Sequence, residues 1–144
     1  MSELKAILDY SFTCTYNSVF FFTVPSLSVA IQPSHAFATN VPPHNILTLR
    51  CIAAVSTGVN LMKNFEWQLD DSILSDDGNS VLISSQNLEN ALSTSEVTDI
   101  GKPIGSYMYN CTVAMQVPGG LHLRTSATAT AIVRGEGYII IISF

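Results

Sequence analysis

The feature that most constrains the fold is the spacing of two cysteines, one tryptophan and one tyrosine. Trp67, the only tryptophan in the chain, follows Cys51 by sixteen residues, and Cys111 follows Trp67 by forty-four. Tyr109 lies two positions before Cys111. Both cysteines fall in segments where apolar and polar residues alternate, a pattern typical of half-buried β-strands. The sequence therefore predicts an all-β fold.

Length and composition favour one β-domain and argue against a nucleic-acid partner. The 144 residues suffice for a single domain with a buried core and irregular ends. Hydrophobic residues make up 47% of the chain, and no long stripe of 3.6-residue period suggests a helical bundle. Charged residues are only 12%, with a net charge of −5, so the basic patch that nucleic acids require is absent from the sequence.

Three strands are predicted in the first half of the domain. Residues 24–31 alternate and carry a proline near their start, which suits an edge strand. In 47–53 the odd-numbered residues are apolar, while Thr48 and Arg50 fall on the opposite face. In 65–69 the odd-numbered residues are aromatic or apolar and the even-numbered ones polar. The strands at 47–53 and 65–69 are therefore expected to bury their odd-numbered faces.

An acidic turn follows, and we expect it to connect a hairpin. Residues 76–79 read Asp-Asp-Gly-Asn and separate the apolar residues 73–74 from 81–83. Together with Asp70 and Asp71 they form an acidic cluster, but it lacks the ligand spacing of a calcium loop. We therefore interpret these carboxylates as solvated turn residues.

The most regular pattern spans residues 107–117. Its odd-numbered residues are apolar, aromatic or cysteine, and a register slip of one residue would bury Asn110. The turn 118–120 then leads into 121–133, whose odd-numbered residues are mostly apolar. These segments predict a second hairpin.

The set Cys51, Trp67, Tyr109 and Cys111 resembles an immunoglobulin-like domain, of a divergent I-set or C2-like kind, over residues 24–134. The resemblance implies a two-sheet antiparallel β-sandwich with Greek-key connections. It also implies a Cys51–Cys111 disulfide, Trp67 packed on the sulfurs, and a Tyr109 hydroxyl bonded to the backbone just before its strand. These four residues are thus expected to be structural.

The sequence departs from the family pattern at several positions. The family commonly has Asp four residues and Gly or Ala two residues before this tyrosine, where this chain has Gly105 and Tyr107. Residues 92–97 match the family's Leu-x-Ile-x-x-Val run only partly, because Thr94 replaces the middle apolar residue. The subclass is therefore left open.

The ends of the chain allow several interpretations. Residues 1–23 are unassigned and could be a diverged signal sequence, a remnant of a preceding domain or an error in the gene start. Residues 135–144 form an apolar tail, which is either the start of a truncated membrane segment or simply apolar sequence. Cys14 lies outside the family pattern.

A disulfide favours an extracellular or cell-surface location, although reduced cytosolic sandwiches with the same cysteine positions are an alternative.

Two candidate sites fall on the outer face of the predicted sheet. Asn110-Cys111-Thr112 is a candidate N-glycosylation sequon, and a glycan there would block this face. Without a glycan, we expect a flat, weakly charged binding face, with a solvated sheet surface as the alternative. The residues of the candidate binding face are Glu66, Gln68, Thr112, Gln116, Thr128 and Thr130.

The loops 56–64 and 116–122 form a second candidate recognition edge.

No catalytic or metal-binding constellation is predicted. His35, His44 and His122 lie in separate loops or at strand starts, without the spacing of metal ligands. No cofactor motif occurs, so an enzyme is not expected. The resemblance implies a non-catalytic recognition or adhesion module that binds protein, homophilically or heterophilically, with a membrane tether outside the domain as an open option. The alternative is a structural spacer of a larger rod or filament-type protein.

Overall fold

The computed structural model describes residues 25–56, 63–87, 92–117 and 120–135. Within these ranges the chain forms nine strands and no helix, which confirms the prediction of an all-β fold. The strands are β1 (Leu27–Gln32), β2 (His35–Thr39), β3 (Ile46–Val55), β4 (Lys63–Leu69), β5 (Ser72–Ile73), β6 (Val81–Asn87), β7 (Leu92–Ile100), β8 (Gly105–Gln116) and β9 (His122–Arg134).

The strands form two sheets. One has five strands in the order β2-β9-β8-β4-β5, and the other has four in the order β1-β3-β7-β6. All neighbouring pairs are antiparallel except β2 and β9, which are parallel. The expectation of a wholly antiparallel arrangement is therefore wrong at one edge of the five-stranded sheet.

This parallel pair arises because the chain passes from the four-stranded sheet to the five-stranded sheet between β1 and β2. The single edge strand predicted at 24–31 corresponds to β1, which pairs with β3, but the chain then continues into β2 in the other sheet. Pro33 separates the two strands, and a proline cannot donate the backbone hydrogen bond that a continuing strand needs. The buried residues of β2 include Ala36 and Ala38, whose small side chains gave no clear apolar alternation.

The predicted inward faces of β3 and β8 are confirmed. Leu47, Leu49, Cys51 and Ala53 are all buried on β3, and the odd-numbered residues of β8 from 109 to 115 are buried as well. Residues from both sheets contribute to one buried cluster. A Cys51–Cys111 disulfide joins β3 to β8 across the sheets, with 6.4 Å between the Cα atoms. Burial of these alternating residues therefore fixes the register of both strands.

The hairpin predicted around the acidic turn is wrong. Asp70 and Asp71 adopt positive φ angles of 47° and 71°, and this tight turn leads β5 back along β4. The chain next crosses to the other sheet, where β6 pairs with β7. Turn-forming residues mark a change of direction but do not specify whether the next strand stays in the same sheet.

Strand β7 presents an unusual inward face. Its buried residues are Ser93, Ser95, Val97 and Asp99, whereas Thr94 is half-buried in the opposite phase. Thr94, where the sequence departs from the family's apolar run, therefore lies out of phase with the buried residues of this strand. Buried polar groups are tolerated only when they are hydrogen-bonded, and the partners of these side chains lie partly on the five-stranded sheet.

Candidate functional site on the five-stranded sheet

Strand register brings most of the predicted binding residues together on the outer face of the five-stranded sheet. Glu66 on β4 pairs with Thr112 on β8, and Gln68 pairs with Asn110. On the other side of β8, Asn110 pairs with Thr128 of β9. Because paired residues of neighbouring strands project to the same face, these side chains form one patch. Thr130 is one row further along β9, and Gln116 lies on the same face at the far end of β8.

The middle of this patch is more enclosed than the sequence suggested. Thr112 is only 7% exposed, and Asn110, Glu66 and Gln68 are half-buried. The Oδ1 atom of Asn110 is buried and has no hydrogen-bond partner within the described part of the chain. Glycosylation of Asn110 stays a prediction, now placed on the central strand of the sheet.

Three exposed apolar side chains lie at one end of the polar patch and along its edge. Met108 on β8, Ile73 on β5 and Phe37 on β2 are 51%, 67% and 60% exposed, respectively. Met108 is one row from Asn110 on the same face, and Ile73 pairs with Gln68. Phe37 pairs with Ile132, one row beyond Met108. The alternation in 107–117 predicts an outward-facing Met108. The positions of Phe37 and Ile73 on the same face depend on which sheet β2 and β5 join, which the sequence pattern does not specify.

Two charged or titratable groups lie beside the apolar margin. The guanidinium of Arg134 is 5.2 Å from the centre of the Phe37 ring, a cation–π distance. His35 Nδ1 is 2.8 Å from Thr130 Oγ1, which fixes this threonine at the edge of the patch. The face thus combines exposed apolar groups with hydrogen-bonding groups and few charges.

Polar contacts beneath the face connect it to the other sheet. Trp67 Nε1 donates a hydrogen bond of 2.9 Å to Ser95 Oγ, which also accepts one of 2.8 Å from Ser85 Oγ. Lys63 Nζ donates a hydrogen bond of 2.9 Å to Ser93 Oγ, and burial lowers the pKa of this lysine. These bonds explain why β7 can bury serines, and they hold β4, which carries Glu66 and Gln68, against the four-stranded sheet.

The predicted role of Tyr109 is wrong in one respect. Tyr109 is fully buried, as expected of a structural residue, but its hydroxyl donates a 2.6 Å hydrogen bond to Asp99 Oδ2 rather than to the backbone. The Nζ of Lys102 lies 3.4 Å from the same carboxylate oxygen. Burial, followed by the hydrogen bond and the charge of Asp99, raises the pKa of Tyr109. The tyrosine and the lysine together compensate a carboxylate that is 2% exposed.

The backbone contact expected of Tyr109 is made by Tyr107 instead. Its hydroxyl donates a 2.6 Å hydrogen bond to the carbonyl oxygen of Pro103, four residues earlier. Gly105 and Tyr107 are the positions before this tyrosine at which the sequence departs from the family pattern. The buried Asp99 was missed because an acidic residue in the middle of a strand is usually assigned to the solvent face.

Trp67 occupies the structural position predicted for it. It is 2% exposed, belongs to the same core cluster as both cysteines, and pairs directly with Cys111 across β4 and β8. Since neighbouring strands place paired residues side by side, Trp67 lies next to the disulfide. The residues that suggested the fold therefore form its interior.

The other predicted features are distributed as follows. His35 and His122 begin β2 and β9, and His44 lies in a turn. Among the described residues, no group of three or more His, Cys, Asp or Glu side chains could hold a metal ion. No helix in this part of the chain has the length and apolar character needed to cross a membrane. Cys14, residues 57–62, 118–119 and 136–144 lie outside the described ranges, so both candidate recognition loops are only partly described.

The acidic residues are more organised than solvated turn residues need to be. Asp76 and Asp77 are exposed, as expected, but both carboxylates accept backbone N–H groups. These bonds to Asp77 lower its pKa, with the N–H of Val81 the largest cause. The acidic segment is therefore a structured cap on the start of β6.

No protein-family model matches the sequence, and no curated protein shows significant similarity to it.

Proposed function

We propose that the chain contains an immunoglobulin-like β-sandwich with Greek-key connections that recognises another protein through the outer face of its five-stranded sheet. Two largely antiparallel sheets with a common buried cluster support this fold. The disulfide between them and the tryptophan beside it support the same assignment. The positions of Tyr109 and Asp99 set it apart from the usual family arrangement.

The composition of the outer face supports protein recognition most directly. Met108, Ile73 and Phe37 each expose more than half of their surface beside the polar patch. Exposed apolar groups beside hydrogen-bonding groups are typical of protein interfaces, where the apolar atoms supply the free energy and the polar ones the specificity. A purely solvated sheet face would gain nothing from exposing three large apolar side chains.

The disulfide supports an extracellular or cell-surface location for this module. A disulfide persists in oxidising compartments and is uncommon in the reducing cytosol. The structural spacer is the second candidate function, and the polar contacts between the sheets favour it, since they resist sliding of one sheet over the other. The two candidates differ in whether the outer face binds a partner.

A binding experiment with matched variants separates these functions. The full chain, with its disulfide intact, is immobilised and tested by surface plasmon resonance against a panel of purified extracellular domains that includes the chain itself. Met108→Glu places a charge on the proposed face, and Ile46→Glu places one at a comparably exposed site (44%) on the four-stranded sheet. For any partner detected, we expect M108E to weaken binding about tenfold or more and I46E to leave it unchanged.

Two results would contradict the proposal. Equal effects of M108E and I46E would show that the outer face is not the binding surface. Failure of the folded wild-type chain to bind any member of a broad panel would favour the spacer.

A further inference from the structure

Strand β6 is an edge strand whose outward backbone groups alternate in a defined phase. Its residues pair with β7 on one side only. The N–H of Ile100 donates to the carbonyl of Ser80, so residues 80, 82, 84 and 86 direct their backbone groups toward β7. The N–H and C=O groups of Val81, Ile83, Ser85 and Asn87 consequently point to the open edge.

Two carboxylates cover the first half of that edge. Asp77 Oδ1 accepts the N–H of Val81 at 2.9 Å, and the N–H of Asp77 donates to the carbonyl of Val81 at 2.9 Å. Asp76 Oδ2 accepts the N–H of Ile83 at 2.8 Å while its Oδ1 accepts the N–H of Gly78 at 2.7 Å. The acidic segment therefore occupies the positions that a neighbouring strand would take.

The remaining features of β6 favour pairing with a further strand. It is the longest of the four edge strands, with seven residues, and contains no charged residue and no proline. Edge strands that avoid association usually carry such residues or are very short. By comparison, β5 has two residues, β2 has five, and β1 packs against β9 of the other sheet. The Asp76–Asp77 cap is thus the main protection of the β6 edge.

The occupant that fits this edge best is the same strand of another molecule. Two copies of β6 related by a two-fold axis pair antiparallel, and their outward-facing backbone groups then match position by position. Since Val81–Asn87 is uncharged, this pairing places no like charges opposite each other along the strand. Exposed residues such as Leu82, Ser84 and Gln86 would extend the outer surface of the resulting eight-stranded sheet.

We propose that the β6 edge is a self-association surface kept closed by Asp76 and Asp77, and that displacement of Asp76 allows two copies of the chain to pair through antiparallel β6 strands. This proposal is independent of the recognition face, which lies on the other sheet. It assigns the acidic segment the role of preventing association rather than of binding a ligand.

Sedimentation equilibrium of the full, disulfide-bonded chain tests this proposal. Asp76→Asn retains the size of the side chain but only one acceptor oxygen, so one of the two backbone N–H groups loses its partner. Asp71→Asn is the matched control, because it removes the same charge from the same acidic stretch, tolerates the positive φ, and has no hydrogen bond to β6 among the described residues. We expect D76N to raise the dimerisation constant about tenfold over wild type and D71N to leave it unchanged.

A second substitution shows where the copies meet. Ser84→Lys puts a charge in the middle of the exposed strand, opposite Glu96 of β7, where it is compatible with the folded monomer. D76N/S84K is expected to return to the wild-type association constant. Dimerisation of D76N that survives S84K, or a D76N variant that associates no more strongly than D71N, would overturn the proposal. If D76N fails to fold, Asp76→Ser replaces it. This variant keeps a side-chain oxygen that can accept the N–H of Gly78, and it is likewise expected to raise the dimerisation constant above that of wild type.

Discussion

Two tyrosines, two positions apart on β8, use their hydroxyls in different environments. Tyr109 is fully buried and donates to Asp99, whereas Tyr107 is half-buried and donates to the Pro103 carbonyl near the surface. Removing a donor from a buried carboxylate leaves a desolvated charge with fewer partners, while a surface carbonyl can turn to water. The two hydroxyls should therefore differ in their contribution to stability.

We expect Tyr109→Phe to lower the free energy of unfolding by about 2–4 kcal/mol. Tyr107→Phe, the matched control, should lower it by about 1 kcal/mol or less. Urea denaturation followed by Trp67 fluorescence measures both values. Equal losses in the two variants would contradict the assignment of Asp99 as the critical partner.

The raised pKa of Tyr109 also predicts a dependence of stability on alkaline pH. Its ordinary value is 10.0, and burial together with Asp99 raises it in the folded state. The folded state therefore holds this proton more tightly than the unfolded state, so the contribution to stability is complete below pH 10 and is lost above it. Denaturation at several pH values between 8 and 11 should show this loss in wild type and a smaller one in Y109F.

At the scale of elements, alternation predicted the strands with large apolar residues on one face and failed where the inward residues were small or polar. The odd-numbered faces of β3 and β8 followed directly from residues such as Leu49 and Val113. The inward face of β7 could not be predicted, because Ser93, Ser95 and Asp99 become core residues only through partners on distant strands.

The sheet assignments of the short strands were equally inaccessible. Whether β2 and β5 join the five-stranded sheet depends on pairing with strands far away in the sequence, and neither strand is long enough for a clear pattern. For this reason the polar part of the candidate binding face was predictable from β4, β8 and β9, whereas its apolar margin at Phe37 and Ile73 was not.

We expect the buried hydrogen bonds of Ser95 on β7 to contribute to the stability of the fold. Ser95→Ala removes the acceptor of the buried Trp67 indole N–H and of the Ser85 hydroxyl. We expect a loss of about 1–3 kcal/mol in the free energy of unfolding. Ser84→Ala, at an exposed position of β6, should change it by less than about 0.5 kcal/mol. A similar small effect for both variants in chemical denaturation would show that the indole contact is not important for stability.

In the molecule as a whole, the Cys51–Cys111 disulfide is a side-chain cross-link between the two sheets. It closes a loop with a sequence separation of 60 residues. The chain-entropy relation assigns such a cross-link about 4 kcal/mol of stabilisation. We expect the Cys51→Ala/Cys111→Ala double variant to lose roughly this amount in urea denaturation, and reduction of the wild-type chain to have a comparable effect. A loss below about 1 kcal/mol would mean that the noncovalent contacts between the sheets suffice.

The proposal that this chain acts outside the reducing cytosol requires that these two cysteines form a disulfide in the native protein. Peptide mapping by mass spectrometry under non-reducing conditions, after alkylation of free thiols at the moment of extraction, determines that state directly. We predict that Cys51 and Cys111 are recovered in one cross-linked peptide pair. Recovery of both as alkylated free thiols would contradict the extracellular assignment and favour an intracellular spacer.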